Sequence, residues 1–152
     1  MTVTSLRAQE NVEDSRWETA VRCIKKYEGW HGPEYHPYVA YGHRIRKGEK
    51  FPARLTESEG DSILRKDLKE MCALFRHLGK DSLLIACLAY QMGPYRLLGY
   101  GRMPKSTLIR KLEAGNRDIY SDFIRYCHYK GKKIPSIERR RKDEYKLLYI
   151  LE

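Results

Sequence analysis

Trp17, Val21 and Ile24 recur at the spacing of one helix face, and the next position on that face is Glu28. A carboxylate on a core-facing stripe is costly unless it is paired. Glu28 also falls in the last turn of the expected helix, where the helix dipole disfavours negative charge. Burial and dipole both act to raise its pKa. A carboxyl group that keeps its proton near neutrality is what a general acid needs. The same position also reads as half of a buried ion pair with Arg139, Arg140 or Arg141. The two readings are compatible, because a neighbouring guanidinium would tune the same carboxylate.

Three further groups carry chemical interest. His43 follows Tyr41-Gly42 at an expected strand turn, where it either titrates near neutrality or hydrogen-bonds a structural carboxylate. Asp67, on the inner part of the next helix, is a plausible partner for it. Gln91, before Gly93, ends an apolar helix and either lines a cleft or caps the helix end. Tyrosine is abundant, with 12 residues, and Tyr35, Tyr38, Tyr41, Tyr95, Tyr100 and Tyr126 fall near turns or helix ends. Such amphipathic rings suit a sugar-binding cleft and a plain core equally. Cys23, Cys72, Cys87 and Cys127 lack metal-ligand spacing, so no metal site is expected. They read as small buried thiols, with a disulfide framework as the alternative.

The elements that must position these residues are mainly helices. Residues 1–13 are polar and aperiodic and read as a flexible arm. Ser15-Arg16-Trp17-Glu18 has the form of a capping box and sets a first helix over 16–28, stopped by Gly29. Residues 29–55 change character: Gly and Pro recur, with Tyr35, Tyr38, Val39, Tyr41 and Ile45 between them. Two or three short strands with tight turns fit. Thr56-Glu57-Ser58-Glu59 is a second capping box, opening a helix whose apolar stripe runs to Leu78 before Gly79. Residues 83–90 are apolar on every side and predict a fully buried helix. Further helices are expected from Lys105 to Gly115, over about 117–128, and after Pro135.

The chain has 152 residues, 30 Lys and Arg against 20 Asp and Glu, and a net charge of +10. Hydrophobic residues make up 41%, which excludes a disordered tail and supports one domain with a real core. No apolar run reaches the ~20 residues of a membrane span, and no signal peptide opens the sequence. The positive excess concentrates in 130–146, where eight Lys and Arg stand against three carboxylates. This reads either as a solvated helix face or as attraction to an anionic polymer such as bacterial wall. A nucleic-acid-binding domain is disfavoured, because neither a helix-turn-helix nor an aromatic RNA platform is evident.

The helix end at Glu28, Tyr41-Gly42-His43, the helix opened by Thr56, the buried helix ending at Gln91-Met92-Gly93, the helix after Ser106 and the one after Pro135, six motifs taken in order, resemble the phage-type lysozymes, the endolysins of glycoside hydrolase family 24. Ile24-Lys25-Lys26-Tyr27-Glu28-Gly29 is similar to the family's helix end with its catalytic Glu. Tyr41-Gly42-His43 is similar to its Gly-Tyr-Gly-His, with Ala40 in place of the first Gly. Leu55-Thr56-Glu57 through Arg65-Lys66-Asp67 resembles the helix linking two lobes. Ala89-Tyr90-Gln91-Met92-Gly93 resembles the buried central helix. Ser106-Thr107-Leu108 through Gly115, and Ile134-Pro135-Ser136 through Arg141, resemble later helices. The resemblance implies an α+β, mostly helical, two-lobed fold with a small antiparallel β-hairpin lobe and a helical lobe. Residues 14–152 would form one lysozyme-like domain: a β lobe at 29–55, a linking helix at 56–79 and a helical lobe at 80–152. It implies a monomeric muramidase, without cofactor, metal or nucleic-acid partner, acting on peptidoglycan in the periplasm or outside the cell. The bond cut would be the β-1,4 link between N-acetylmuramic acid and N-acetylglucosamine. Glu28 would be the general acid, His43 and Asp67 a structural pair, and Arg140 in its cluster an electrostatic partner of the Glu28 region. Tyr35, His36, Tyr38 and Gln91 would contact substrate.

The family's hairpin carries an Asp and then a Thr that hold the attacking water, and here Tyr35-His36-Pro37-Tyr38-Val39-Ala40 has neither. The only carboxylate between positions 29 and 48 is Glu34. Three readings follow. Glu34 replaces the Asp; or Glu28 acts alone, with water held by His36, Tyr38 or His43, or with a lytic-transglycosylase-like outcome; or the chain is a weakly active or non-catalytic wall binder.

Overall fold

The computed structural model describes residues 2–151, and the chain divides into two compact units, residues 1–67 and 68–152. In the first unit, α1 runs from Val3 to Glu28. It therefore starts well before the expected position 16, and residues 3–13 of the segment expected as a loose arm are helical. Thr2 is the N-cap, its side chain accepting from the Ser5 N–H at 3.2 Å. Residues 3–14 contain neither Gly nor Pro, so nothing stops the helix from extending. Ser15 lies mid-helix, where its carbonyl accepts from Thr19 Oγ1 instead of capping. Ala20, Val21, Cys23 and Ile24 form the buried part of α1.

After Gly29 come a 3-10 turn over Pro33–Tyr35 and two antiparallel strands, β1 Tyr38–Val39 and β2 His43–Arg44. The register pairs Tyr38 with Arg44 and Val39 with His43. Ala40, buried beside β1, holds φ +53, a left-handed conformation that Gly adopts more cheaply. The helix α2, Glu57–Leu74, opens with the expected capping box: Glu59 N–H donates to Thr56 Oγ1 at 3.1 Å, and Thr56 N–H donates to Glu59 Oε1 at 2.9 Å. It stops five residues before Gly79. The chain continues as a 3-10 helix over Arg76–Asp81, in which Leu78 is buried three positions after buried Phe75, a spacing that suits three residues per turn.

In the second unit, α3 (Ser82–Met92) is buried from Leu83 to Ala89, as its all-round apolar sequence predicts. The short α4 (Tyr95–Leu98) precedes α5 (Thr107–Glu113), which Ser106 caps. Next come α6 (Tyr120–Ile124) and a two-stranded ribbon, β3 His128–Tyr129 and β4 Lys132–Lys133, then α7 (Pro135–Leu148). The helix expected over 117–128 is thus only five residues long, and β3 begins at His128, the expected end of that helix. The inner face of α7 is ionic: Arg140, Arg141, Glu144 and Leu148 are its buried residues. The basic run is therefore not simply a solvated face. All four cysteines are free thiols, and Cys23, Cys87 and Cys127 are buried.

Candidate functional site

Glu28 is the last residue of α1 and is half-buried. Its carboxylate lies against the backbone of the β1–β2 turn. A Cβ added at Gly42 would stand 3.0 Å from Glu28 Oε1 and 3.5 Å from Cδ. Gly42 also holds φ +92, so both its conformation and its neighbour require the absence of a side chain.

A charge ladder fixes the end of α1 against the start of α2. Arg65 grips Glu18 with two bonds, 2.6 and 2.9 Å, and reaches Asp61 at 2.7 Å through Nε. Asp61 accepts from Lys25 Nζ at 2.6 Å, and Lys25 also reaches Glu57 at 3.3 Å. Glu57 in turn accepts from Tyr41 O–H at 2.8 Å, one residue before Gly42. The Arg65 bond is the main cause that holds the Asp61 carboxyl below its ordinary range. Trp30 meets Tyr41 edge-on at 5.2 Å and covers α2 at Gly60, where an added Cβ would come within 2.4 Å of the indole.

Next to Gly42, His43 is buried between two carboxylates: Nδ1 to Asp67 Oδ2 at 2.6 Å and Nε2 to Glu49 Oε1 at 2.9 Å. Both ring nitrogens face acceptors, which asks for the doubly protonated ring. Burial pulls the His43 pKa down, but the bonds to Glu49 and Asp67 outweigh it, and the net direction is up. With both nitrogens engaged, His43 has none left to hold a water. The structure thus brings His43 and Asp67 together and adds Glu49, which the sequence did not single out.

Glu34 is exposed, and its carboxylate curls over its own loop, 2.8 Å from where a Gly32 Cβ would stand. With Trp30, His31 and Arg54 it borders a cavity of about 260 Å³. His36 and Tyr38, both exposed, line a neighbouring hollow with Lys50 and Phe51. Tyr35 is exposed and meets His31 edge-on at 5.3 Å.

In the second unit, Gln91 borders a cavity of about 230 Å³ with Arg96, Arg125, Tyr126, His128 and Tyr129. Its carbonyl accepts from Arg141 Nη2. Arg140 is buried and pairs with Glu144 at 3.3 Å. Sequence reasoning missed the charge ladder, whose members look like ordinary surface ions, and the Trp30–Gly60 contact. A glycine inside a helical pattern was the available signal for that contact.

The family model for phage lysozyme matches residues 24–144, a span that includes Glu28, the β1–β2 turn, Gln91 and the ionic face of α7. The chain belongs to the phage lysozyme family. Phage lysozymes are glycosidases that degrade bacterial cell-wall peptidoglycan, and this member is accordingly a peptidoglycan hydrolase in the general sense. No curated protein matches the sequence. Among the described residues no helix is long and apolar enough to cross a membrane.

Proposed function

We propose that this phage lysozyme homologue cleaves the β-1,4 bond between N-acetylmuramic acid and N-acetylglucosamine, with Glu28 as general acid. The observation that carries the reading is the seat of the Glu28 carboxyl: a helix terminus with its negative dipole end, half-buried, beside a glycine turn that leaves room for the group. In this mechanism Glu28 gives its proton to the glycosidic oxygen as that bond breaks. Positive charge develops at the sugar's anomeric carbon, water or the sugar's own hydroxyl attacks it, and the proton that the attacking group loses passes to the Glu28 carboxylate or to solvent. The exposed position of Glu34, curled on Gly32, supports Glu28 as the only carboxyl that acts on the glycan. The engagement of both His43 nitrogens leaves His36 and Tyr38 as the water-holding groups.

The test is release of soluble fragments from purified peptidoglycan. Glu28→Gln lowers the rate by about 10²–10⁴, the usual worth of a general acid, while Glu34→Gln stays within about tenfold of wild type. Wild type and Glu28→Gln equally inert would remove the enzyme reading and leave a wall binder. A loss of the same size in Glu34→Gln would make Glu34 the base. Reducing ends among the products identify hydrolysis, and anhydro ends identify internal attack by the sugar hydroxyl. The site of action that follows is the wall itself, in the periplasm or outside the cell, by a monomer.

A further inference from the structure

Gln91, at the end of α3, carries an amide whose two ends are alike in shape and opposite in chemistry. Arg141 Nη2 meets its Oε1. A guanidinium offers only donors, so this contact selects the carbonyl end and excludes the flipped amide. Arg141 is itself 0% exposed, and so is Glu144, whose Oε1 lies 3.0 Å from Arg141 Nη1. The other Glu144 oxygen stands 3.3 Å from Arg140 Nε. A buried ion pair of this kind adds little net stability over an apolar replacement of equal volume. What it supplies is a buried counter-charge that keeps the guanidinium in place. The NH₂ end of Gln91 is the end turned away from Arg141, and Gln91 is exposed on a cavity whose other polar groups include the donors Arg96 and Arg125.

We infer that Arg141, held by Glu144, is a positioning residue that locks the Gln91 amide with its NH₂ presented to the cavity, as a donor to an acceptor oxygen of the substrate. The inference rests on the reading of this protein as acting on peptidoglycan. The acceptor is an N-acetyl carbonyl of the glycan or a carboxylate of its stem peptide, and both share the chemistry that the lock serves.

The experiment measures binding of two soluble fragments to Glu28→Gln protein, so that turnover does not enter. One is a chitin oligosaccharide, which offers N-acetyl carbonyls. The other is a muropeptide, which adds stem-peptide carboxylates. Gln91→Glu keeps an oxygen for Arg141 and replaces the NH₂ with a second oxygen. It is expected to weaken binding about tenfold, the loss of one well-placed hydrogen bond, without lowering the melting temperature. Arg141→Met frees the amide to flip, leaves roughly half of the molecules with the NH₂ presented, and is expected to weaken binding about twofold. The two changes combined cost no more than Gln91→Glu alone, because they act on the same interaction. Loss on both fragments assigns the N-acetyl carbonyl, and loss on the muropeptide alone assigns the carboxylate. Unchanged binding of both fragments by Gln91→Glu overturns the inference, and so does unchanged binding by a folded Arg141→Met. If Arg141→Met does not fold, Gln91→Glu decides alone. Failure of Glu28→Gln protein with Gln91 intact to bind either fragment overturns the peptidoglycan reading itself, and this inference falls with it.

Discussion

Replacing Gly60 by Ala sets two known effects against each other. In a helix interior the change is worth up to about 1 kcal/mol in favour of Ala, and less in a first turn such as this one. The added Cβ would stand 2.4 and 2.6 Å from the Trp30 ring and 3.1 Å from the Ala40 Cβ. Real contacts of that kind are not tolerated, so the indole or the 29–34 loop must move, at an overpacking cost of about 1–3 kcal/mol. The balance is a loss of about 0–3 kcal/mol, or a melting temperature lower by up to about 12 °C for a chain of this size. Thermal melts followed by circular dichroism measure it. In a Trp30→Ala background the ring is gone and the same substitution is expected to be neutral or stabilising, with the Ala40 contact trimming the gain. The coupling between the two sites is then about 1–3 kcal/mol. A Gly60→Ala protein that melts higher than wild type, by the same amount in both backgrounds, would show that Trp30 does not rest on this glycine. Displacing the ring also disturbs the cavity shared with Glu34.

The His43 clamp predicts a pH dependence of stability with a definite sign. The raised His43 pKa contributes stability that is complete below the ordinary value of 6.5 and is lost as pH climbs through the higher folded value. The lowered Glu49 pKa, set first by its bond to His43, contributes stability above 4.5 that is lost as pH falls through the folded value. The melting-temperature gap between wild type and His43→Ala is therefore widest at about pH 5–6 and narrows toward about pH 9; a gap that stays constant contradicts the clamp. Thr56→Ala removes the side-chain half of a capping box and is expected to cost about 1 kcal/mol, read by urea titration, with no change in the denaturant slope. Burial pushes the Cys72 thiol up to about 11. At about pH 8 only about one molecule in a thousand carries the thiolate, so a disulfide reagent is expected to label Cys72 at a small fraction of the rate of a free thiol. Rapid native labelling would contradict that environment.

The position of Glu28 was legible because one face of α1 is regular and a carboxylate interrupts it. The Thr56 box was legible for a related reason: both partners lie within four residues, and the helix really does begin there. The Ser15 box has the same letters, but residues 3–14 favour helix, so no terminus exists for it to cap. The hairpin β3–β4 escaped notice because strands of two residues leave no alternation to read. The inner face of α7 escaped because charge reads as exposure, and Arg140 and Arg141 invert that rule by sharing the Glu144 carboxylate. Glu49 reaches His43 from a loop, and no periodicity announces a contact of that kind.

The turn between β3 and β4 is Lys130-Gly131, flanked by Lys132 and Lys133, all exposed, with Lys130 at φ +50. Each strand is only two residues long, so few bonds must break for a trypsin-like protease to thread this loop. A nick there would sever the backbone ahead of α7 while leaving that helix seated by its own contacts with α3 and α6. The cut protein would then behave as two fragments that travel together until heat or urea parts them, and the Arg141 guanidinium would leave with the smaller one.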